Sequence, residues 1–438
     1  MAIAFSENGV NNVKLYINIV NPCSTGVQVN ISAPRLPSFP MRQEYVGPKE
    51  IIVIDIDTAK FEVEGTGKSG QGILLHSNDT ELIITGLSTA YNSADMYFTR
   101  NATQLGTEYV IITYCYSDGL CQFVIVAMED NTAIEILFPQ YFASSIVFDG
   151  NSYSACDVMI LTLQESQTFQ LQSTSDLSGV KIISPNRKRF TVISSSPLTA
   201  VQNGGGGRDQ VADIVPPLTA WGNEYIIVRR NSQDYLHDDI KFVAAAGGAN
   251  ISIFGCGPVI NHFVVPHQIY LYQMTCERVH IISDEPVLVA HFPVGFGNGD
   301  PAMLFPTPVS HYVRQYTVYI PSGFDFCAIA LVMNSLEVST FNYSDTFIPW
   351  IRIGQSMFST AWLENLNSGV VYIEHTSPFG GHVICEKAWS MSALTIGIGN
   401  FTSHEAQDHS KTSDSSESST MPIVHGNYSS SLNQMMRP

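Results

Sequence analysis

Few residues of this chain have the types and spacing that chemistry needs, and each such run resolves into something simpler. Gly65-Thr66-Gly67-Lys68-Ser69 has the closing pattern of a phosphate-cradling loop. That loop requires a glycine five positions before its last one, where Glu62 stands, and no helix pattern follows to aim backbone amides at a phosphate. The run reads as a hairpin turn. His404-Glu405-Ala406-Gln407-Asp408-His409 is one residue longer than the HExxH zinc motif and lies in a polar stretch. No G-x-S-x-G nucleophile elbow occurs, and the 12 histidines are dispersed. His291, after an apolar run, reads as a strand-end residue and not a base. No cofactor or metal is implied, and the chain does not read as an enzyme.

The cysteines carry more. None of the eight forms a CxxC pair, which excludes zinc knuckles and thioredoxin-type chemistry. An even, widely spaced set fits disulfides made in an oxidising compartment. Cys115 and Cys121 flank a short turn between strands and are expected to bond. Cys256 with Cys276 and Cys327 with Cys385 are paired because each pair falls within one repeat unit of the chain, which leaves Cys23 with Cys156. Sequons at Asn30, Asn78, Asn101, Asn250, Asn342, Asn400 and Asn427 point to the same compartment. The start, Met1–Phe5 followed by Ser6-Glu7-Asn8, lacks the apolar run and basic lead of a signal peptide, so the expectation is a fragment, a misplaced start or another route of export.

Three Gly/Asn/Asp-rich segments, 91–102, 203–213 and 295–300, read as loops gathered on one side of the molecule, where binding surfaces form. Asn203, Arg208, Asp209, Asn298 and Asp300 are the binding candidates within them. Calcium ligation by Asn298, Asp300 or Asp209 and a plain connector are the other readings. If the loops are exposed, replacing residues 203–209 by a neutral linker leaves folding intact.

The elements that would position these residues are strands. The 438 residues are 45% hydrophobic and 14% charged, with a net charge of −18, which sets nucleic acid and anionic lipid aside as main partners. No apolar run approaches the length of a membrane-spanning helix. Short runs rich in Val, Ile, Thr, Tyr and Phe alternate with turn residues, as in residues 108–114, 122–128, 132–138 and 158–163. They recur. Gly106-Thr107-Glu108-Tyr109 returns as Gly222-Asn223-Glu224-Tyr225 and, more faintly, as Val313-Arg314-Gln315-Tyr316. A second strand pair recurs at 179–193, 278–289, 72–84 and 369–384. The predicted fold is all-β: four tandem antiparallel units of about 100 residues, near 1–103, 104–215, 216–308 and 309–400, sandwich-like, with an eight-bladed propeller as the alternative. Residues 401–438, rich in Ser and Thr, read as a disordered tail.

Leu105-Gly106-Thr107-Glu108-Tyr109-Val110, Ser175-Asp176-Leu177-Ser178-Gly179-Val180-Lys181 and the run from Val215 to Tyr225 resemble the N-terminal domain of the IgGFc-binding protein family across most of residues 5–400. The resemblance implies a secreted recognition or adhesion module that binds a protein or glycoprotein, with a role in host defence or at mucosal surfaces. It carries over no binding residue. Two alternatives remain: a carbohydrate-active enzyme, which would need two carboxylates about 5–10 Å apart in one cleft, and a structural matrix element.

Overall fold

Alternation of apolar and polar side chains decides which face of each strand turns inward. Along Val158–Leu163 every second residue is buried and those between are exposed, the pattern of a sheet with one wet face. Cys121–Ala127, apolar throughout but for Gln122, is buried along its whole length and sits mid-sheet. The computed structural model describes residues 1–396 apart from 79–81, 117–118, 202–206, 231–236, 296–299, 345 and 388–389. The predicted tail, with Asn400 and Asn427, lies outside the described residues. The fold is all-β and sandwich-like; the one α-helix among the described residues is the single turn Thr58–Phe61.

Four sheet groups follow one another. The first pairs Ala2–Ile3, Ile73–Ser77, Val27–Ser32 and Arg42–Val46 in one sheet and Ser93–Phe98, Ile83–Ala90, Lys14–Val20 and Ile51–Ile56 in another. The second sets Glu108–Val110, Lys181–Ile183, Thr132–Leu137 and Val158–Leu163 against a five-stranded sheet that runs from Asp209–Ile214 to Gly67–Ser69. Gly67–Ser69 is therefore an edge strand on Thr168–Ser173 and not the expected hairpin turn. The third and fourth groups are six-stranded sheets built around Arg278–Phe292 and Gly369–Lys387.

These two long strands correct the predicted strand pairs. Arg278–Phe292 pairs through Arg278–Ile282 with Gly222–Val228 and through Val287–Phe292 with Asp238–Ala244. Gly369–Lys387 divides in the same way between Val313–Ile320 and Phe326–Asn334. One strand thus bends from one layer to the next, as strands at sandwich corners do. In the second group a turn at Arg187, whose φ is 59°, breaks the same path into two strands.

The recurring tyrosine explains the repeat. Tyr109, Tyr225 and Tyr316 each accept a hydrogen bond from the amide three residues earlier, at Gly106, Gly222 and Val313 (2.9, 3.0 and 3.2 Å). Each donates to a carbonyl across the fold, at Phe190, Val287 and Phe379 (2.7, 2.8 and 2.8 Å). The hydroxyl ties the opening strand to the distal one at the layer crossing. Tyr225→Phe leaves a buried amide and carbonyl unsatisfied, so chemical denaturation should show a loss of about 1–3 kcal/mol.

Apolar clusters join the groups in a circuit. Val124, Val126, Ile193 and Ile214 of the second pack into the core of the first. Val243, Leu288 and Phe292 of the third join the core of the second, and Ile226 and Val228 of the third meet Ala330 and Val332 of the fourth. Val20, Leu87 and Met96 of the first complete it against Tyr316 and Val318 of the fourth. Residues Met1–Gly399 form one compact unit for this reason.

Candidate binding face at the junction of the groups

Each group sends a return strand to the middle of this circuit. Ser93–Phe98 folds back on Ile83–Ala90, Asp209–Ile214 on Phe190–Thr199 and Ser390–Thr395 on Gly369–Lys387; in the third group the return is held by bridges from His291 to Leu304 and from Val294 to Pro301. These are edge strands, and an edge exposes amides that no neighbouring strand satisfies. Aspartates satisfy them. Asp209 accepts from the amides of Ala94 (3.0 Å), Gln210 (2.8 Å) and Met391 (3.1 Å), joining first, second and fourth returns. Asp95 accepts from the amides of Met96 (2.8 Å) and Ala212 (2.5 Å) and from the Ser392 hydroxyl (3.3 Å). Asp213 accepts from Phe305, which brings in the third (2.8 Å).

The carboxyls pay for this burial in their acidity. Desolvation holds Asp95 and Asp209 well above the usual carboxylate range, against the donors that favour the charge. It pushes Asp213 up to about 7 and Asp300 up to about 6. Beside them, His291 is fully buried and its Nε2 lies 2.8 Å from Asp238, which Arg229 also contacts at 3.1 Å. His291 is the penultimate residue of Arg278–Phe292, at the strand end as expected, with its side chain turned inward. His382, 6.1 Å away between ring centroids, is pushed down to about 3 by burial and by His291.

The loop candidates divide accordingly. Asp209 is fully buried and Asp300 is 8% exposed, so neither is a solvated loop charge; Val211, Ala212 and Ile214 draw one segment inside, and Ala302, Met303, Leu304 and Phe305 the other. Arg208 is exposed, with its guanidinium 4.6 Å over the Tyr116 ring. Asn203 and Asn298 lie outside the described residues. Because Asp209 staples three strands, replacing residues 203–209 would not spare the fold.

Three disulfides join cysteines as paired from the sequence: Cys115–Cys121, Cys256–Cys276 and Cys327–Cys385, with Cα separations of 5.1, 5.2 and 4.1 Å. Cys23 and Cys156 are not joined to each other. Cys23 lies near Tyr372 of the fourth group, whereas exposed Cys156 sits on an outward turn held to Phe138 of the second. Of the sequons, Asn78 and Asn342 are exposed and Asn30 is half-buried within a strand. Asn101 caps the turn Ala102–Gln104, and the exposed Asn250 donates its amide to Asp284 (2.6 Å).

Residues that carry the sequence resemblance turn out to lock groups together. Asp176 accepts from Thr113 and Ser178 and, at 2.7 Å, from Lys241 of the third group. Pro217 presses on Gly106, where a Cβ would lie 2.3 Å from its own, and Pro308 presses on Gly222 in the same manner at 2.4 Å. Trp221 is 6% exposed in the second core.

Where the first and fourth groups meet, a cleft of about 460 Å³ opens beside the junction. Its lining includes Tyr16, Tyr91, Tyr319 and Phe324 with Asn12 and Lys14, and no Asp or Glu. Among the described residues no group of three or more His, Cys, Asp or Glu is placed to hold a metal ion.

A disulfide-bonded β array of this kind, its shared motifs committed to joining sheets, defines the class of a multi-sheet, sandwich-like β module. The chain belongs to the IgGFc-binding protein family: the family model described as IgGFc binding protein matches residues 95–385. The human IgGFc-binding protein is 27% identical to it over 214 residues, 47% of this chain and 4% of that protein.

Proposed function

We propose that this chain is an extracellular recognition module, secreted, that binds a protein or glycoprotein in host defence or at a mucosal surface. The family match over residues 95–385 carries this reading. Three disulfides support an oxidising compartment. The cleft between first and fourth groups has no acid in its lining, whereas a glycosidase would place two there, so recognition is favoured over that chemistry. The ligand meets the outward surface around the hairpin returns, with Arg208 and the rim of the cleft as its described members.

The test is a binding titration of the immobilised full chain against two probes, an immunoglobulin G Fc fragment and an intact mucin glycoprotein. Saturable binding of either is expected. Binding of neither, by a chain whose cooperative unfolding shows it to be folded, would remove the recognition reading and leave a structural role.

A further inference from the structure

We propose that the cleft between the first and fourth sheet groups is a binding site for a short oligosaccharide. This rests on the recognition reading above and names its ligand class. The size is right: about 460 Å³ falls within the roughly 300–1,000 Å³ of small-ligand sites, and such sites prefer the seams between packed units.

Lining chemistry narrows the class. A sugar ring offers a face of C–H bonds and a rim of hydroxyls. Its face suits an aromatic ring, whose π surface is electronegative, and its hydroxyls suit amides, hydroxyls and an ammonium. The cleft supplies both. Tyr91 stands at the tip of the two-residue turn between Ile83–Ala90 and Ser93–Phe98 and is 84% exposed, an aromatic platform with little of its own to cover it. Phe324 is half-buried on the opposite wall. Exposed Asn12, Lys14 and Ser322 border the space with polar groups. A single lysine in the lining is too little for a polyphosphate backbone, and the polar share is too high for a purely apolar ligand.

The walls are preorganised. Lys387 of the fourth group donates to Thr89 Oγ1 (2.9 Å) and to the Ala90 carbonyl (2.7 Å), which fixes the turn that presents Tyr91, and its ammonium lies 5.9 Å from the centre of the Phe324 ring. At the floor, the Tyr319 hydroxyl donates to Asn18 Oδ1 (3.3 Å), and Asn18 donates in turn to Thr85 (3.0 Å). A fixed turn and a fixed floor lower the ordering cost of a weak polar ligand.

Calorimetric titration of the full chain with triacetylchitotriose, N-acetyllactosamine and 3′-sialyllactose tests the site and separates neutral from acidic sugars. One-to-one saturable binding of at least one is expected. Tyr91→Ala should weaken it about tenfold while Tyr91→Phe retains it, and Met41→Ala, 70% exposed elsewhere, should leave it unchanged. Because Tyr91 is exposed, the melting temperature should not move. If none of the three binds at concentrations up to about 10 mM, or if Tyr91→Ala binds as the parent does, the proposal is overturned. The mucin probe separates the two readings. Mucin that binds equally before and after enzymatic deglycosylation, and equally to Tyr91→Ala, sinks the oligosaccharide site and leaves the recognition module standing.

Discussion

Asp209→Ala is expected to lower the free energy of unfolding by about 3–5 kcal/mol, measured by chemical denaturation, with Asp209→Asn losing less. The side chain is fully buried and accepts from three amides on three strands. Alanine removes both acceptor oxygens, and with them all three hydrogen bonds, and leaves the Ala94 and Met391 amides without the side chain that accepts from them. A buried amide without a partner costs about 1–3 kcal/mol, so the loss exceeds that of a typical surface aspartate many times over. Asparagine keeps one acceptor oxygen and the volume, and restores part. Arg208→Ala, one residue earlier and exposed, is the control and should change stability by less than about 0.5 kcal/mol. A loss below about 1 kcal/mol for Asp209→Ala would show that the returns are held by their apolar contacts and not by the carboxylates.

How far the sequence spoke for itself follows the range of the interactions. Strand content was legible because alternation is local: Thr132–Leu137 and Val158–Leu163 carry it in five or six residues. The tyrosine repeat was legible because Gly106 and Tyr109, or Gly222 and Tyr225, stand at fixed spacing with a local bond between them. The pairing of Cys115 with Cys121 was legible for the same reason. The junction was not. Ser93–Phe98 and Asp209–Ile214 read as polar loop because Asp, Asn and Gly mark exposed turns and carboxylate-stapled edges alike. Only partners more than a hundred residues away, as Asp209 is from Ala94, distinguish the two. Residues 209–214 do hold Val211, Ala212 and Ile214, the one local sign that this loop would go inside. Continuity of Arg278–Phe292 was hidden likewise, since Ser283-Asp284-Glu285-Pro286 resembles a turn and instead carries the strand across the corner.

Acidification from about pH 7.5 to about pH 5 should stabilise this protein, the reverse of ordinary acid behaviour. A carboxyl whose folded pKa is raised binds more protons in the folded state than in the unfolded one. Its contribution is intact below the unfolded pKa near 3.8 and is lost as pH climbs through the folded value. For Asp213, with a folded value of about 7, the loss between about pH 5 and 7.5 is about 2–3 kcal/mol, and Asp300, at about 6, adds about 1 kcal/mol in the same direction. Arg100, close to Asp213, already favours its charge and is included in that value. His382 opposes them, as do the half-buried His267 and His311, which burial also pulls down. The folded pKa of His382, about 3, lies below the usual 6.5, so it contributes stability that appears as pH rises across the same window, about 2 kcal/mol. Asp213 and Asp300 together outweigh it, and Asp95 and Asp209, also raised, reinforce them. The melting temperature should therefore be higher near pH 5 than near pH 7.5. Asp213→Asn should remove about 2–3 kcal/mol of that slope, whatever its effect at a single pH, because the variant has no proton to lose. A parent whose melting temperature rises steadily from pH 5 to pH 7.5, with the same slope in Asp213→Asn, would mean that these carboxyls ionise at ordinary values and that the amides of the junction, not burial, govern their charge.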